Sequence, residues 1–133
     1  MSGWVELHME KDEINALSRK AIGCAFTVLN TLGPGFLEKV YENALAHEMR
    51  KQGLNLEQQH PIRVGYDGII VGEYFADIIV EDCLIIELKA AKSFDDAHRA
   101  QCLNYLKASG LKLALLLNFN KPRLEIERMA NGL

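Results

Sequence analysis

The stretch from Phe75 to Ala91, FADIIVEDCLIIELKAA, decides how this chain folds. It contains two apolar, β-branched runs separated by a short polar turn, which predicts two neighbouring antiparallel strands. Asp77, Glu87 and Lys89 place charge inside these runs. Burying a carboxylate without a partner is costly or forces its protonation, so these groups are expected to share a counter-charge, most simply a metal ion.

The length of the turn determines whether the charged groups meet. Glu87 and Lys89 lie on one face of their strand, because side chains alternate along a strand. A two-residue loop starting at Glu81 would pair Asp77 with Ile86 and put the aspartate on the opposite face. A loop that is one residue longer would pair Asp77 with Glu87. We predict the longer loop, or an equivalent bulge, because it brings the two acids together.

Two amphipathic helices are predicted ahead of these strands. The first starts at Asp12, which suits an N-cap, and ends near Leu32, where Gly33-Pro34-Gly35 cannot continue it. The second follows at once, carries Glu38 in its first turn and stops at Gly53. Its apolar face is predicted to consist of Leu37, Val40, Tyr41, Ala44, Leu45 and Met49.

A β-hairpin is predicted next, because β-branched and alternating residues replace the helical pattern after Leu54. Its strands cover residues 56–66 and 69–80. Asp67-Gly68 between them is a strong hairpin signal. Gly72 inside the second strand indicates a bulge or a close backbone approach.

The C-terminal part of the chain is predicted to form a strand, a helix and two further strands. The helix opens at a capping box made by Ser93 and Asp96 and ends near Gly110. The strands cover residues 84–90, 112–119 and 124–129. The resulting order α, α, β, β, β, α, β, β predicts an α/β fold in which helices flank a central mixed sheet, with one right-handed parallel crossover.

Length and composition indicate one globular domain over residues 1–133, of which residues 1–9 lack periodicity and are expected to be a loosely ordered terminus. No apolar run reaches the roughly 20 residues of a membrane span, so a cytoplasmic location without membrane contact is expected.

The net charge of −3 argues against a protein that coats nucleic acid through global positive charge. The three cysteines lack metal-binding or disulfide spacing, which predicts reduced thiols.

A pair of carboxylates beside a lysine suits phosphodiester hydrolysis. Carboxylate oxygens are the ligands that Mg2+ or Mn2+ prefers, and such an ion activates water and neutralises charge on the phosphate. A lysine can orient the attacking water or stabilise the oxyanion. No arrangement indicates Ser/His/Asp or Cys/His catalysis. The glycine-rich turn at residues 33–35 follows a helix rather than a strand, which excludes a phosphate-binding loop.

Two motifs in these elements resemble a known family. Asp77, followed after nine residues by Glu87-Leu88-Lys89, resembles the signature of the PD-(D/E)xK nuclease superfamily. The segment GFLEKVY, residues 35–41, resembles the motif of the GxxExxY proteins, a subfamily of similar chain length. The resemblance covers roughly residues 12–128 and departs from the signature at Ala76, where a proline is expected. It implies a restriction-endonuclease-like core with the order αβββαβ.

The resemblance implies that Asp77 and Glu87 bind Mg2+ or Mn2+ and that Lys89 is catalytic. Glu38 would add a carboxylate from the second helix. Simpler explanations stay open at this point. Glu38 could instead stabilise the positive end of its helix by about 0.3–1 kcal/mol, and the two acids could form a buried pair with Lys89.

Three further residues receive supporting roles. Gln101 and Tyr105 match a Q-x-x-x-Y pattern of RecB-like members, in which Gln101 orients the site, and Tyr41 ends the GxxExxY motif. Gln101 could alternatively bridge locally, and both tyrosines could be core residues whose hydroxyls reach a polar edge. Arg99 and Lys121 could contact phosphates or belong to a solvated face.

The function that these residues predict is metal-dependent hydrolysis of phosphodiester bonds in nucleic acid, with DNA favoured as the substrate. The alternative is a module of the same fold that binds nucleic acid or a protein without turnover. Such a module has little physical reason to hold charges in a buried strand, which favours the enzyme. A homodimer or a partner protein is left open.

Overall fold

The structure is a computed structural model that describes the backbone of residues 3–133 and the side chains of residues 11–133. Its elements are α1 Gly3–Leu32, α2 Glu38–Lys51, β1 Leu56–Tyr66, β2 Ile69–Val80, β3 Leu84–Lys89, α3 Asp96–Ser109, β4 Leu113–Asn118 and β5 Glu125–Ala130. This order is the predicted one, and the α/β fold with a restriction-endonuclease-like core is confirmed.

A five-stranded mixed sheet forms the centre of the molecule, with the strand order β1-β2-β3-β4-β5. β3 and β4 run parallel and are joined through α3, as predicted, while the other neighbouring strands run antiparallel. Ile86 and Leu88 of β3 pack toward α1 and α2, whereas Ile85 packs against α3. Because side chains alternate along a strand, Glu87 and Lys89 lie on the α3 face.

The first helix begins earlier than predicted. α1 starts at Gly3, so residues 3–9 are helical and the predicted start at Asp12 is wrong. These residues lack apolar periodicity but include good helix formers, and extending an existing helix needs no new nucleus. Residues 1 and 2 of the predicted terminus lie outside the described residues.

The buried face of α2 differs in part from the predicted one. Tyr41, Leu45 and Met49 are buried as predicted, but Leu37 is 80% exposed and Val40 is 39% exposed. Leu37 precedes the helix as its N-cap residue, and its side chain therefore does not share the helical face. Glu42 and Ala46 are buried instead.

Tyr41 fixes the turn that joins α1 to α2. Its hydroxyl donates to the Gly33 carbonyl at 2.6 Å and accepts from the Phe36 N–H at 3.1 Å. Its ring is fully buried and stacks on Phe119 with a centroid distance of 4.8 Å. Tyr41 is therefore a core residue whose hydroxyl holds the glycine-rich turn.

We expect Tyr41→Phe to lower the free energy of unfolding by about 1–3 kcal/mol, because the Gly33 carbonyl and the Phe36 N–H would both lose their hydrogen-bond partner. Urea unfolding of the purified chain measures this loss. Tyr66→Phe is the matched control, since Tyr66 is 71% exposed. Equal stability of Tyr41→Phe and the parent would show that the turn does not depend on the hydroxyl.

The capping of α3 also differs from the prediction. The N-cap is Asp95, whose carboxylate accepts from the His98 N–H at 2.9 Å, and His98 Nδ1 accepts from the Asp95 N–H at 3.3 Å. The predicted box of Ser93 and Asp96 is thus displaced, because histidine takes the role usually played by glutamate. The helix ends at Gly110 in the left-handed conformation, as predicted.

The β1–β2 hairpin changes direction at Gln59 and Asp77. Ala76 packs on the α3 side, whereas Ile78 packs on the side of α1 and α2, although residues two apart normally share a face. Gln59 and Asp77 lie opposite each other but do not form a regular β-sheet pair, and Gln59 has a φ of +53°. Beyond this bend, consecutive apolar residues 69–71 are exposed.

The predicted features at the far end of the hairpin are present. Asp67 and Gly68 form the turn, both with positive φ. The register shifts between Val64 and Gly65, which leaves Val71 as the extra residue beside Gly72 and confirms the predicted bulge. In the described part of the chain, which includes all three cysteines, no disulfide forms.

Candidate active site

The register of β2 and β3 brings the two predicted acids together. Val80 pairs with Leu84, so the connecting loop has three residues. Continued along both strands, the same register places Asp77 opposite Glu87. The longer loop is therefore confirmed, and the pairing of Asp77 with Ile86 is excluded.

Hydrogen bonds fix Asp77 and Glu87 side by side. The Leu88 N–H donates to Asp77 Oδ2 at 2.9 Å, and the Asp77 N–H donates to Glu87 Oε1 at 3.3 Å. Glu87 is only 3% exposed. The strand pairing and these bonds together hold two carboxylates at one point of the sheet.

The electrostatics of this acid pair leave it short of positive charge. Burial, and then the neighbouring Asp77 carboxylate, raise the pKa of Glu87 to about 9. At neutral pH the isolated protein therefore holds a proton on Glu87. A site that retains a proton between two acids is one where a cation would be strongly favoured.

This proton has a consequence for stability. Glu87 titrates near 4.5 when exposed and near 9 in the folded chain, so the folded state binds the proton more tightly. The stabilising contribution is therefore complete below about pH 4.5 and is lost as the pH rises toward about 9.

We expect the metal-free protein to become less stable from pH 5 to pH 9, whereas Glu87→Gln should show a flatter profile because the group no longer titrates. Urea unfolding in the presence of a chelator, at several pH values in this range, provides the measurement. A profile in Glu87→Gln as steep as in the parent would mean that another group causes the dependence.

Lys89 reaches the helix behind the site rather than the acids. Its Nζ donates to Gln101 Oε1 of α3 at 3.4 Å. Among the described side chains it makes no ion pair with Asp77 or Glu87, so the predicted alternative of a buried acid–lysine pair is not formed. Lys89 still lies close enough to lower the pKa of Glu87.

Tyr105 and Cys102 of α3 form the apolar wall behind Glu87. Burial, and then the charges of Glu87 and Asp77, raise the pKa of Tyr105 to about 12, while a hydrogen bond with Gln101 opposes this change. Burial also raises the pKa of the Cys102 thiol to about 12. Tyr105 is thus a core residue at the edge of the site, and Cys102 is a buried residue beside it.

Glu38 is not joined to the acid pair. It is exposed in the first turn of α2, and within the described part of the chain it forms no hydrogen bond with Asp77 or Glu87. One turn later on the same helix, Glu42 does reach the site through Gln59. The structure therefore brings together Asp77, Glu87, Lys89 and Gln101, but not Glu38.

Glu42 and Gln59 are polar residues of the site that the sequence analysis missed. Gln59 Nε2 lies 2.9 Å from Glu42 Oε1 and 3.2 Å from Asp77 Oδ1. Gln58 and Lys39 donate to Glu42 as well, which explains how a carboxylate that is 3% exposed is accommodated. Gln58 and Gln59 are adjacent polar residues that interrupt the alternating pattern of β1. This interruption was the feature of the sequence that could have indicated a polar site here.

The donor chemistry of the acid pair fits a hard divalent cation. Asp77 and Glu87 offer adjacent carboxylate oxygens that form no ion pair with Lys89, and Mg2+ commonly binds through one or two carboxylates while it keeps several waters. Residues 11–133 contain no group of three or more acidic, histidine or cysteine side chains arranged for a metal. The protein would therefore supply two acidic ligands rather than the three predicted.

Two basic residues considered for phosphate binding are engaged within the chain. Arg99 donates to both oxygens of Glu127 at 2.7–2.9 Å and to Asp96 at 3.2 Å. This pairing raises the pKa of Arg99 and lowers the pKa of Glu127. Lys121 pairs with Glu125 at 3.4 Å. Their contacts connect surface elements, which favours the solvated-face interpretation.

Comparisons with known proteins agree with this architecture. A family model described as PD-(D/E)XK nuclease superfamily matches residues 15–129. The crystal structure of a protein designated SSO0001 is similar, with a TM-score of 0.56 and 18% identity over 71% of this chain and 50% of that chain. The chain spans half the length of that protein, and the likeness shows the fold alone. Comparison with curated proteins finds no match.

Across the residues that the structure describes, no helix combines the length and apolar character needed to cross a membrane.

Proposed function

The chain belongs to the PD-(D/E)XK nuclease superfamily, and on that premise we propose that it hydrolyses phosphodiester bonds in nucleic acid with the help of Mg2+ or Mn2+, with DNA as the favoured substrate. One observation carries the proposal. Asp77 on β2 and the buried Glu87 on β3 are held side by side by hydrogen bonds, on the same face of the sheet as Lys89.

Each residue has a role that follows from its position. Asp77 and Glu87 would hold the metal ion, which supplies Lewis acidity and makes a water molecule easier to deprotonate. Lys89 would donate to the phosphoryl oxygen on which negative charge grows. Gln101 keeps the Lys89 ammonium on the α3 side of the acids. Tyr105 closes the site from behind and limits access of water.

Glu38 has a more distant role in this proposal. It lies exposed at the start of α2, one turn before Glu42. From there its carboxylate would act on an outer water of the metal or on the approaching substrate rather than bind the ion directly. Membership of the GxxExxY subfamily, a cytoplasmic location, and a homodimer or a partner protein are further parts of the proposal that rest on the sequence.

The test is cleavage by the purified chain of labelled single- and double-stranded DNA and RNA, with Mg2+, with Mn2+ and with a chelator. We expect cleavage that requires the metal and is strongest on DNA. A rise in melting temperature with Mn2+ should accompany it, since a ligand that binds only the folded state stabilises that state. Metal binding and nucleic-acid binding without cleavage of any substrate would favour the non-catalytic module instead.

A further inference from the structure

Gln59 connects two carboxylates that belong to different elements. Its single Nε2 atom donates to Glu42 Oε1 on α2 and to Asp77 Oδ1 on β2, at 2.9 and 3.2 Å. Ionised carboxylates only accept hydrogen bonds, so the carboxamide can satisfy both acids in one orientation only, with its nitrogen toward them. The side chain therefore has a defined orientation although it lies at the surface.

The backbone of Gln59 adopts a conformation that needs an explanation. Its φ of +53° lies in the left-handed region, which a residue with a long side chain rarely adopts in a strand. The neighbouring pairs of Gln58 with Ile78 and of His60 with Ala76 are regular, so the departure is confined to one residue opposite Asp77. Such local departures persist when the surrounding contacts require them, and they concentrate at functional sites.

The left-handed backbone of Gln59 lets its side chain restrain the Asp77 carboxylate. Oδ1 accepts from Gln59 and Oδ2 accepts from the Leu88 N–H. With one donor on each oxygen, the carboxylate cannot rotate freely. Glu42 anchors Gln59 in turn, because Glu42 is buried and is itself held by Gln58 and Lys39.

We propose that Gln59, held by Glu42, is a positioning residue that sets the orientation of the Asp77 carboxylate for metal binding. This inference rests on the proposed function, because it assumes that Asp77 is a ligand. Gln59 does not touch the ion or the substrate. Its contribution is to keep one lone-pair direction of Asp77 aimed at the space beside Glu87.

The experiment measures Mn2+ affinity by calorimetry and the metal-free melting temperature on the same samples of the 133-residue chain. We expect Gln59→Leu and Gln59→Gly to bind Mn2+ about 10- to 100-fold more weakly, the usual effect of removing a residue that orients a metal ligand. Gln59→Gly relieves the positive φ, so its metal-free melting temperature should not fall. Gln59→Asn keeps the carboxamide and tolerates this φ, and should bind Mn2+ more tightly than Gln59→Leu.

Gln58→Leu is the matched control. Gln58 donates to Glu42 Oε2 at 2.7 Å and to Asn43 at 2.8 Å, and it belongs to the same strand, but its bonds do not reach Asp77. We expect this variant to bind Mn2+ more tightly than Gln59→Leu, because the bond from Gln59 to Asp77 is kept. An equal loss of affinity in Gln58→Leu and Gln59→Leu would overturn the inference, because the cause would then be general damage to the cluster around Glu42.

The remaining outcomes separate the two proposals. A parent that binds Mn2+, together with Gln59 variants that bind it equally well, overturns the positioning role and leaves the proposed function intact. A parent that binds no Mn2+ overturns both. Weaker binding by Gln59→Gly at an unchanged metal-free melting temperature supports the positioning role, since a purely structural residue would change both quantities or neither.

Discussion

Asp77→Asn and Glu87→Gln are each expected to reduce metal-dependent cleavage of DNA by at least about 1,000-fold, equivalent to about 4 kcal/mol of transition-state stabilisation. Both substitutions keep the size of the side chain but remove the negative charge that holds the cation. Because the two acids lie side by side on paired strands, neither can replace the other. Single-turnover cleavage at saturating Mg2+ or Mn2+ measures the effect.

The two variants should differ in stability although both lose activity. Glu87→Gln removes a buried acid whose pKa is raised to about 9, so the metal-free protein should unfold no more easily than the parent at neutral pH. Asp77→Asn is expected to lose about 1–3 kcal/mol, because an asparagine has one acceptor oxygen for the two donors that Asp77 satisfies. Urea unfolding distinguishes the two.

Asp82→Asn is the control for these variants. Asp82 lies in the loop at the other end of the same strands and has a positive φ that asparagine tolerates, so the charge change is the same while the site is untouched. We expect parental activity. If Asp77→Asn and Glu87→Gln retain the same residual cleavage as the parent, the measured activity comes from a contaminant and the enzyme proposal fails.

The sequence was sufficient to predict the centre of the site because one local pattern and one energetic requirement agree there. The alternation of β3 determines the face on which Glu87 and Lys89 lie. The pattern allowed a loop of two or three residues after Val80, and only the longer loop lets the two acids share a counter-charge, which is the register observed. The Asp67-Gly68 turn, by contrast, is a purely local signal, because it requires positive φ at both positions.

The support of Asp77 by Glu42 and Gln59 could not be predicted in this way. Glu42 and Gln59 are separated by a helix end and a loop, and they meet only because the hairpin bends at Gln59. A strand that kept its alternation would have pointed Gln59 elsewhere. The prediction that Glu38 joins the acids came from the family resemblance, whereas in the structure Glu42 is the residue of α2 that is connected to Asp77, through Gln59.

The two errors at helix ends have different physical causes. α1 extends beyond its apolar periodicity because lengthening an existing helix needs no new nucleus. At the start of α3, several polar residues lie close enough to compete for the N-cap position. At α3, Asp95 takes this position and His98 completes the box. These displacements move the boundary of a helix without changing the face that Gln101 and Tyr105 present to the sheet.

Lys89→Met is expected to reduce the rate of cleavage by about 100- to 1,000-fold, the range seen when one donor to a developing negative charge is removed. Methionine keeps the length and the apolar stem of the side chain but has no ammonium group. Mn2+ affinity should stay the same or increase, because Lys89 is a positive charge close to Glu87. Single-turnover rates and calorimetry together separate the catalytic step from metal binding.

The control for this variant is Lys92→Met, which removes the same charge from an exposed position shortly after β3. Lys89→Arg adds a further test, since a planar guanidinium cannot reproduce a compact ammonium held by Gln101, and it should recover only part of the rate. Loss of Mn2+ binding in Lys89→Met would show that the lysine supports the metal site itself. Cleavage by Lys89→Met at the rate of the parent would show that Lys89 has no catalytic role. The acid pair would then have to stabilise the transition state through the metal ion alone.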